Sequence, residues 1–327
     1  LVYTPVGVKM SITSATVPRR MHKPSRNHKP MDVLIGLKLV ALLAMLLGAP
    51  ATALSSQTDI TFVVAGKTSN HRQQVDGSVG VLNYHFFAEI FLQEGGRVEK
   101  ASLLGPVSGT SPAPLLDSGY ALEHHGGRYR TEQALEAAYP DGDYLFEYSS
   151  PSTGRVRQSV SLANPRSEGS GLPAAPRIFL SQAGEPVHPH EIDPGLDLRV
   201  TWSEFSEGGV DPAGIMDDLL FVIMADCEGV RRAHSGRPFE NTPYLTYADA
   251  HYDIAAGLLI PASAYQLSVE HAVLDTSKEH GVIGFSTFAT TTFLDLKTTG
   301  NAVPGKSCNT LRKPFDAGQT DFPAVDE

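Results

Sequence analysis

The chain of 327 residues has only two cysteines, Cys227 and Cys308, and one tryptophan, Trp202. It lacks any Gly-x-Ser-x-Gly, His-Glu-x-x-His, Cys-x-x-Cys or Gly-x-Gly-x-x-Gly string. These absences remove the strained nucleophile elbow, the helical zinc protease site, the paired-thiol motif and the dinucleotide turn. Gly66-Lys67-Thr68 is no phosphate loop either, because Thr61 stands where the first glycine is required. Basic residues are scarce over most of the chain. Residues 1–53 hold seven Lys/Arg against Asp32 alone, leaving 19 basic and 35 acidic residues beyond residue 53, a net charge of −16. So acidic a body repels nucleic acid and anionic lipid, and no nucleic-acid partner is expected.

Long hydrophobic runs are also missing, except for one. Lys38 precedes Leu39–Leu47, an unbroken apolar stretch, followed by Gly48-Ala-Pro-Ala-Thr-Ala53. A basic head, a short apolar segment and small residues at −3 and −1 of a cleavage point predict a signal peptide over 31–53. The run is shorter than the roughly 20 residues that span a bilayer, so no stable membrane insertion is expected after cleavage. The first residue is Leu, and Met10, Met21 and Met31 follow, so residues 1–20 or 1–30 are expected to be a mis-called start; no cysteine directly follows Ala53 to carry a lipid. The expectation is an exported protein, periplasmic or extracellular. In that compartment Cys227 and Cys308 are expected to form a disulfide, the alternative being two buried thiols.

From Thr58 onward the pattern is strand-like, with period-two alternation and short dense apolar runs between Gly, Pro, Ser and Asp. Strands are predicted over 60–65, 81–93, 98–104, 144–148 and 156–162, with a hairpin turn at Glu94-Gly95-Gly96-Arg97. One short helix is predicted over Glu132–Ala138, with Thr131 as its cap and Pro140 and Gly142 as its stop. Residues 163–176 are dense in Pro, Gly and Ser and predict an interdomain linker. A second strand series follows over 178–181, 196–202, 219–225, 265–274 and 285–296, then a tail over 299–327 without pattern. The fold class expected is all-β: two sandwiches in tandem, at 56–162 and 177–298.

Three segments of the second series carry a resemblance. Pro173 to Pro176 leads into Ile178-Phe-Leu180. Leu198-Arg-Val-Thr-Trp202 alternates toward a buried tryptophan. Leu259-Ile-Pro261-Ala-Ser-Ala-Tyr265-Gln-Leu-Ser-Val269 looks like a tyrosine corner. Together they resemble a fibronectin type III or related immunoglobulin-like domain over about 172–298. The resemblance implies that Trp202 plugs a core, that Tyr265 satisfies backbone at a crossover, and that Pro261 sets its turn. Leu135 to Phe146 resembles a pattern of exported bacterial β-sandwich proteins whose function is not established. Tyr144 would then form a second corner, with Phe146 where immunoglobulins place a cysteine.

Candidate chemistry is confined to loops. His188-Pro-His190-Glu191-Ile-Asp193 would put two imidazoles on one side of an extended segment beside two carboxylates, a geometry suited to Zn²⁺ or Cu²⁺. The preferred reading is an exposed polar loop that Pro186, Pro189 and Pro194 keep extended. His124-His125 are adjacent and point to opposite faces of a strand, and His85 is expected to pack in the sheet. Asp211, Asp217 and Asp218, or Asp141 and Asp143, offer oxygens to Ca²⁺ but follow no calcium-loop spacing. Phe239, Asn241, Tyr244, Tyr247 and Tyr252 form either a binding rim or an extra hairpin packed on the sheet. No cofactor is identified. The leading expectation is a non-enzymatic binding or structural protein whose loops recognise a protein or carbohydrate. The alternatives are an enzyme or accessory module acting on polysaccharide or peptide, and a metal-binding protein built on His188 and His190.

Overall fold

The computed structural model describes residues 59–109, 111–119, 121–163, 171–240 and 242–314. The expected signal segment and Asn241 lie outside the described residues. The strands, in chain order, are β1 (Ile60–Gln73), β2 (Val79–Leu92), β3 (Lys100–Leu104), β4 (Ala113–Pro114), β5 (Leu116–Asp117), β6 (Ala121–Tyr129), β7 (Gly142–Ser150) and β8 (Gly154–Leu162). There follow β9 (Ile178–Gln182), β10 (Glu185–Pro186), β11 (Leu198–Trp202), β12 (Leu219–Asp226), β13 (Arg231–His234), β14 (Leu245–Thr246), β15 (His251–Ile254), β16 (Ala264–Glu279) and β17 (Val282–Lys297). The helix α1 spans Glu132–Ala138, and the Thr131 hydroxyl accepts from the Ala134 amide. The fold is all-β.

The strands make three sheets. A nine-stranded sheet runs β13-β12-β16-β17-β1-β2-β6-β5, with β14 paired to β12. Two four-stranded sheets run β4-β3-β7-β8 and β10-β9-β11-β15. Both pack on the same face of the large sheet, as period-two burial requires. Leu103, Tyr144, Phe146, Tyr148 and Val160 of the first meet Val63, Ala65, Phe86, Ala88 and Ile90. Ile178, Leu180, Leu198, Val200 and Ile254 of the second meet Val222, Met224, Leu267, Val269 and Leu294. The intervening residues of the large sheet, including Val64, Phe285, Ala289 and Leu274, turn to its opposite face.

At the centre of that sheet β1 runs parallel to β17, with Phe62 opposite Ile283 and Ser69 opposite Thr290. The stretches expected as separate sandwiches are therefore joined by a backbone ladder, and the described residues cluster as one unit. The segment expected as a linker contributes to the weld. Pro173 and Pro176 are buried, and the Pro173 carbonyl accepts from Thr290 Oγ1 at 2.7 Å. The Gln73 side chain bonds both the amide and the carbonyl of Ile178, each at 2.8 Å.

Other expectations need correction. The Glu94–Arg97 turn does not make a hairpin: β2 belongs to the large sheet, whereas β3 pairs with β4 and β7. Gly95 takes φ +76° there, and the chain crosses between layers. Trp202 is half-buried at the margin of two clusters rather than filling one interior. Tyr265 is fully buried, and its hydroxyl accepts from the Ile260 amide at 2.7 Å. The corresponding bond at Tyr144 runs from its hydroxyl to the Pro140 carbonyl at 2.9 Å. Phe146 is fully buried. The tail over 299–314 is irregular but not loose. Thr299 bonds Ile192, Ala264 bonds the Cys308 carbonyl, and a disulfide joins Cys227 to Cys308.

A positive charge is buried beneath the first small sheet. Lys67 on β1 is fully enclosed, and its Nζ donates to both oxygens of Glu136 on α1, at 2.7 and 2.6 Å, and to Asp141 Oδ1 at 2.5 Å. The helix and the turn after it are thereby tied to the large sheet.

Candidate functional site

A cleft of about 260 Å³ opens where α1, β6 and the loop after β3 meet, lined chiefly by His124, Tyr129, Tyr139, Tyr144, Pro106 and Val107. Local sequence explains its shape. Gly126 sits where a Cβ would lie 2.6 Å from the Tyr139 ring, so only glycine lets that ring fold against β6. Gly127 takes φ +86° at an irregularity in the β2–β6 ladder, which re-aims the flanking side chains. Tyr139 follows α1 and stacks on the buried Phe86, with ring centroids 4.1 Å apart and planes at 8°.

Tyr129 meets Tyr139 edge-on at 6.4 Å. His124 Nε2 lies 3.3 Å from Tyr139 Oη. Tyr144 forms the floor with its hydroxyl committed to Pro140, and Tyr129 donates to the Gly126 carbonyl at 3.0 Å. Burial raises all three tyrosine pKa values, with the Tyr129 charge opposing ionisation of Tyr139 as well. Burial lowers that of His124, against the bond to the Pro114 carbonyl. At neutral pH these side chains are uncharged. The cleft offers flat aromatic surface, one imidazole and no fixed charge of its own.

The residues singled out from sequence are distributed differently. Phe239 takes φ +68° and packs on Phe62 at 5.3 Å and Phe285 at 6.0 Å, on the face of the large sheet away from the small ones. Tyr247 joins Phe205 and Leu220. Tyr252 lies on β15 and donates to the His234 carbonyl at 2.9 Å, and Tyr244 is exposed. Phe239, Tyr247 and Tyr252 thus belong to three different packing environments, and the structure does not gather them into one rim.

His188 and His190 meet edge-on at 5.5 Å, but His188 Nδ1 accepts the His190 amide at 3.2 Å, and Asp193 Oδ1 accepts the Gly195 amide. Among the described residues, Cys227, Glu228 and Cys308 are the one set of three His, Cys, Asp or Glu ligand atoms within 4.8 Å of one another. Its two sulfurs are joined to each other, so no thiolate is available there. His188, His190, Glu191 and Asp193 form no such set.

The acidic loops have structural work. Asp211 is buried and accepts from the amides of Ala213, Ile215 and Met216 and from Thr276 Oγ1. Burial opposes its ionisation, the donors outweigh that, and its pKa lies below the ordinary value. Asp218 bonds the amides of Gly209 and Leu274, Asp217 that of Asp211, and Asp141 holds Lys67. Sequence reasoning missed the grouping of His124, Tyr129 and Tyr139. The available signal was Gly126-Gly127 beside an aromatic, a strand interruption that lets a ring approach the backbone. No protein-family model and no curated protein matches the chain.

Proposed function

We propose that this is an exported, non-enzymatic recognition protein that binds a single neutral ring, a sugar unit, in the tyrosine cleft. The observation carrying the reading is the convergence of Tyr129, Tyr139, Tyr144 and His124 around about 260 Å³. Tyrosine supplies rigid contact area at low entropic cost, and small-ligand sites are concave, mostly apolar and furnished with a few polar groups. The uncharged lining favours a neutral ligand over an anion or cation. His124 Nε2 and the Tyr139 hydroxyl supply the hydrogen-bonding edge for sugar hydroxyls, while the ring faces accept the apolar side of the sugar. Export rests on the 31–53 segment and on the disulfide. Kinship with immunoglobulin-like domains rests on the tyrosine corners at Tyr144 and Tyr265.

The test is saturation-transfer NMR against a panel of monosaccharides, comparing the wild type with Val107→Trp. Val107 is 53% exposed at the cleft mouth, so the indole obstructs access without disturbing the core. Binding to the wild type that falls at least about ten-fold in the variant supports the reading. Ligand binding that survives Val107→Trp and is lost on Tyr244→Ala returns recognition to the loops at 239–252.

A further inference from the structure

The face of the large sheet turned away from the cleft carries a pair of histidines that strand register, not sequence, brings together. His85 on β2 and His125 on β6 approach with Nε2 of the first 3.3 Å from Nδ1 of the second. Each ring has its other nitrogen engaged. His85 Nδ1 lies 2.7 Å from the Gly127 carbonyl, which can only accept, so that nitrogen carries the proton. His125 Nε2 lies 3.3 Å from Glu123 Oε2, and Ser118 Oγ holds the other Glu123 oxygen at 2.9 Å. In the neutral rings this leaves two lone pairs facing each other across 3.3 Å. That arrangement is repulsive unless a proton on His125 Nδ1 or a metal cation lies between them.

We propose that His85 and His125 chelate a divalent first-row transition cation through Nε2 and Nδ1, oriented by the Gly127 carbonyl and the Glu123 carboxylate. The N···N separation suits two imidazoles on one metal with bonds of about 2.0–2.1 Å at a near-tetrahedral angle. A backbone carbonyl and a carboxylate on the far nitrogens are the outer partners that metal-bound histidines take. With its Nδ1 proton directed at the Gly127 carbonyl, His85 presents its Nε2 lone pair toward His125. Glu123 and Glu89 favour positive charge there, against Arg128 near His85 and Arg237 near Glu89. Glu89 stands opposite Glu123 in the ladder, and burial together with the Glu123 charge pushes it up to about 7. The His125 side chain is 58% exposed, which gives a cation a way in. Among the described residues no third His, Cys, Asp or Glu joins the pair within 4.8 Å, so the remaining positions fall to water. Imidazole ligands and open positions favour Cu²⁺ over Zn²⁺.

The test is calorimetric titration of the full chain with Zn²⁺, then displacement by Cu²⁺. One equivalent of Zn²⁺ is expected, displaced by Cu²⁺. His125→Ala, at an exposed position that leaves the melting temperature unchanged, lowers Zn²⁺ affinity at least about ten-fold, and Glu123→Gln lowers it by about the same factor. His188→Ala/His190→Ala leaves this equivalent in place. In ¹⁵N-detected imidazole spectra, Zn²⁺ shifts His85 Nε2 and His125 Nδ1. The proposal is overturned if no stoichiometric Zn²⁺ binds, if His125→Ala binds as tightly as wild type, or if the bound equivalent disappears with His188 and His190.

Discussion

Lys67 and its two carboxylates permit an asymmetric test of what holds α1 to the sheet. The ammonium is wholly enclosed, while the side chains of Glu136 and Asp141 remain 34% and 53% exposed. Removing the carboxylates with Glu136→Gln/Asp141→Asn leaves a charge buried without an anion, a change that costs about 3–5 kcal/mol in enclosed pairs. Removing the cation with Lys67→Met is different. The two carboxylates turn to water, and the methionine replaces most of the lysine stem against Phe288, whose ring centroid lies 5.9 Å from Nζ. The expected change is about 1 kcal/mol or less, of either sign. Urea unfolding followed by far-ultraviolet circular dichroism measures both, with an unchanged slope required before the midpoints are compared. If Lys67→Met loses as much stability as the double carboxylate variant, the enclosed charge is a net source of stability and the desolvation reasoning fails.

Two further outcomes are expected. His271 is 1% exposed, stacks on Phe205 at 4.4 Å and has neither ring nitrogen bonded, and burial lowers its pKa from 6.5 to about 4. Its contribution is complete above pH 6.5 and is lost as pH falls to about 4, a difference of roughly 3 kcal/mol. Melting temperatures of wild type and His271→Phe should diverge over that window, and parallel curves refute the assignment. The disulfide closes a loop with a sequence separation of 81 residues. Its replacement in Cys227→Ser/Cys308→Ser should therefore cost about 4–5 kcal/mol on the chain-entropy account; a denaturant midpoint unchanged from wild type would show that the tail is held by its hydrogen bonds alone.

Local order was legible where local chemistry sets it. The helix over Glu132–Ala138 appears with its predicted bounds because Thr131 caps it and Pro140 forbids continuation. Strand cores were visible by alternation, although β1 runs on to Gln73 and β16 to Glu279, past the apolar residues that betray them. The strand β6 was not among the predicted strands, because the polar Glu123-His-His-Gly-Gly127 carries no apolar alternation. What no local pattern carries is pairing. The joining of β1 to β17, the crossing at Gly95-Gly96 and the meeting of His85 with His125 all depend on which strands become neighbours. For the same reason Tyr139 was not singled out, whereas it walls a cleft beside His124.

The parallel pairing of β1 with β17 has a consequence for the order of assembly. Ser69 and Thr290 face each other in the middle of the sheet while 221 positions apart along the chain. One edge of β1 therefore waits for nearly the last strand to be made, with its amides and carbonyls open to any other extended segment. Such closure over a long span is slow and favours mispairing. A chain cut short before Val282 would lack the central strand that joins the two sides, and the surviving strands would present two raw margins prone to stick to their own kind.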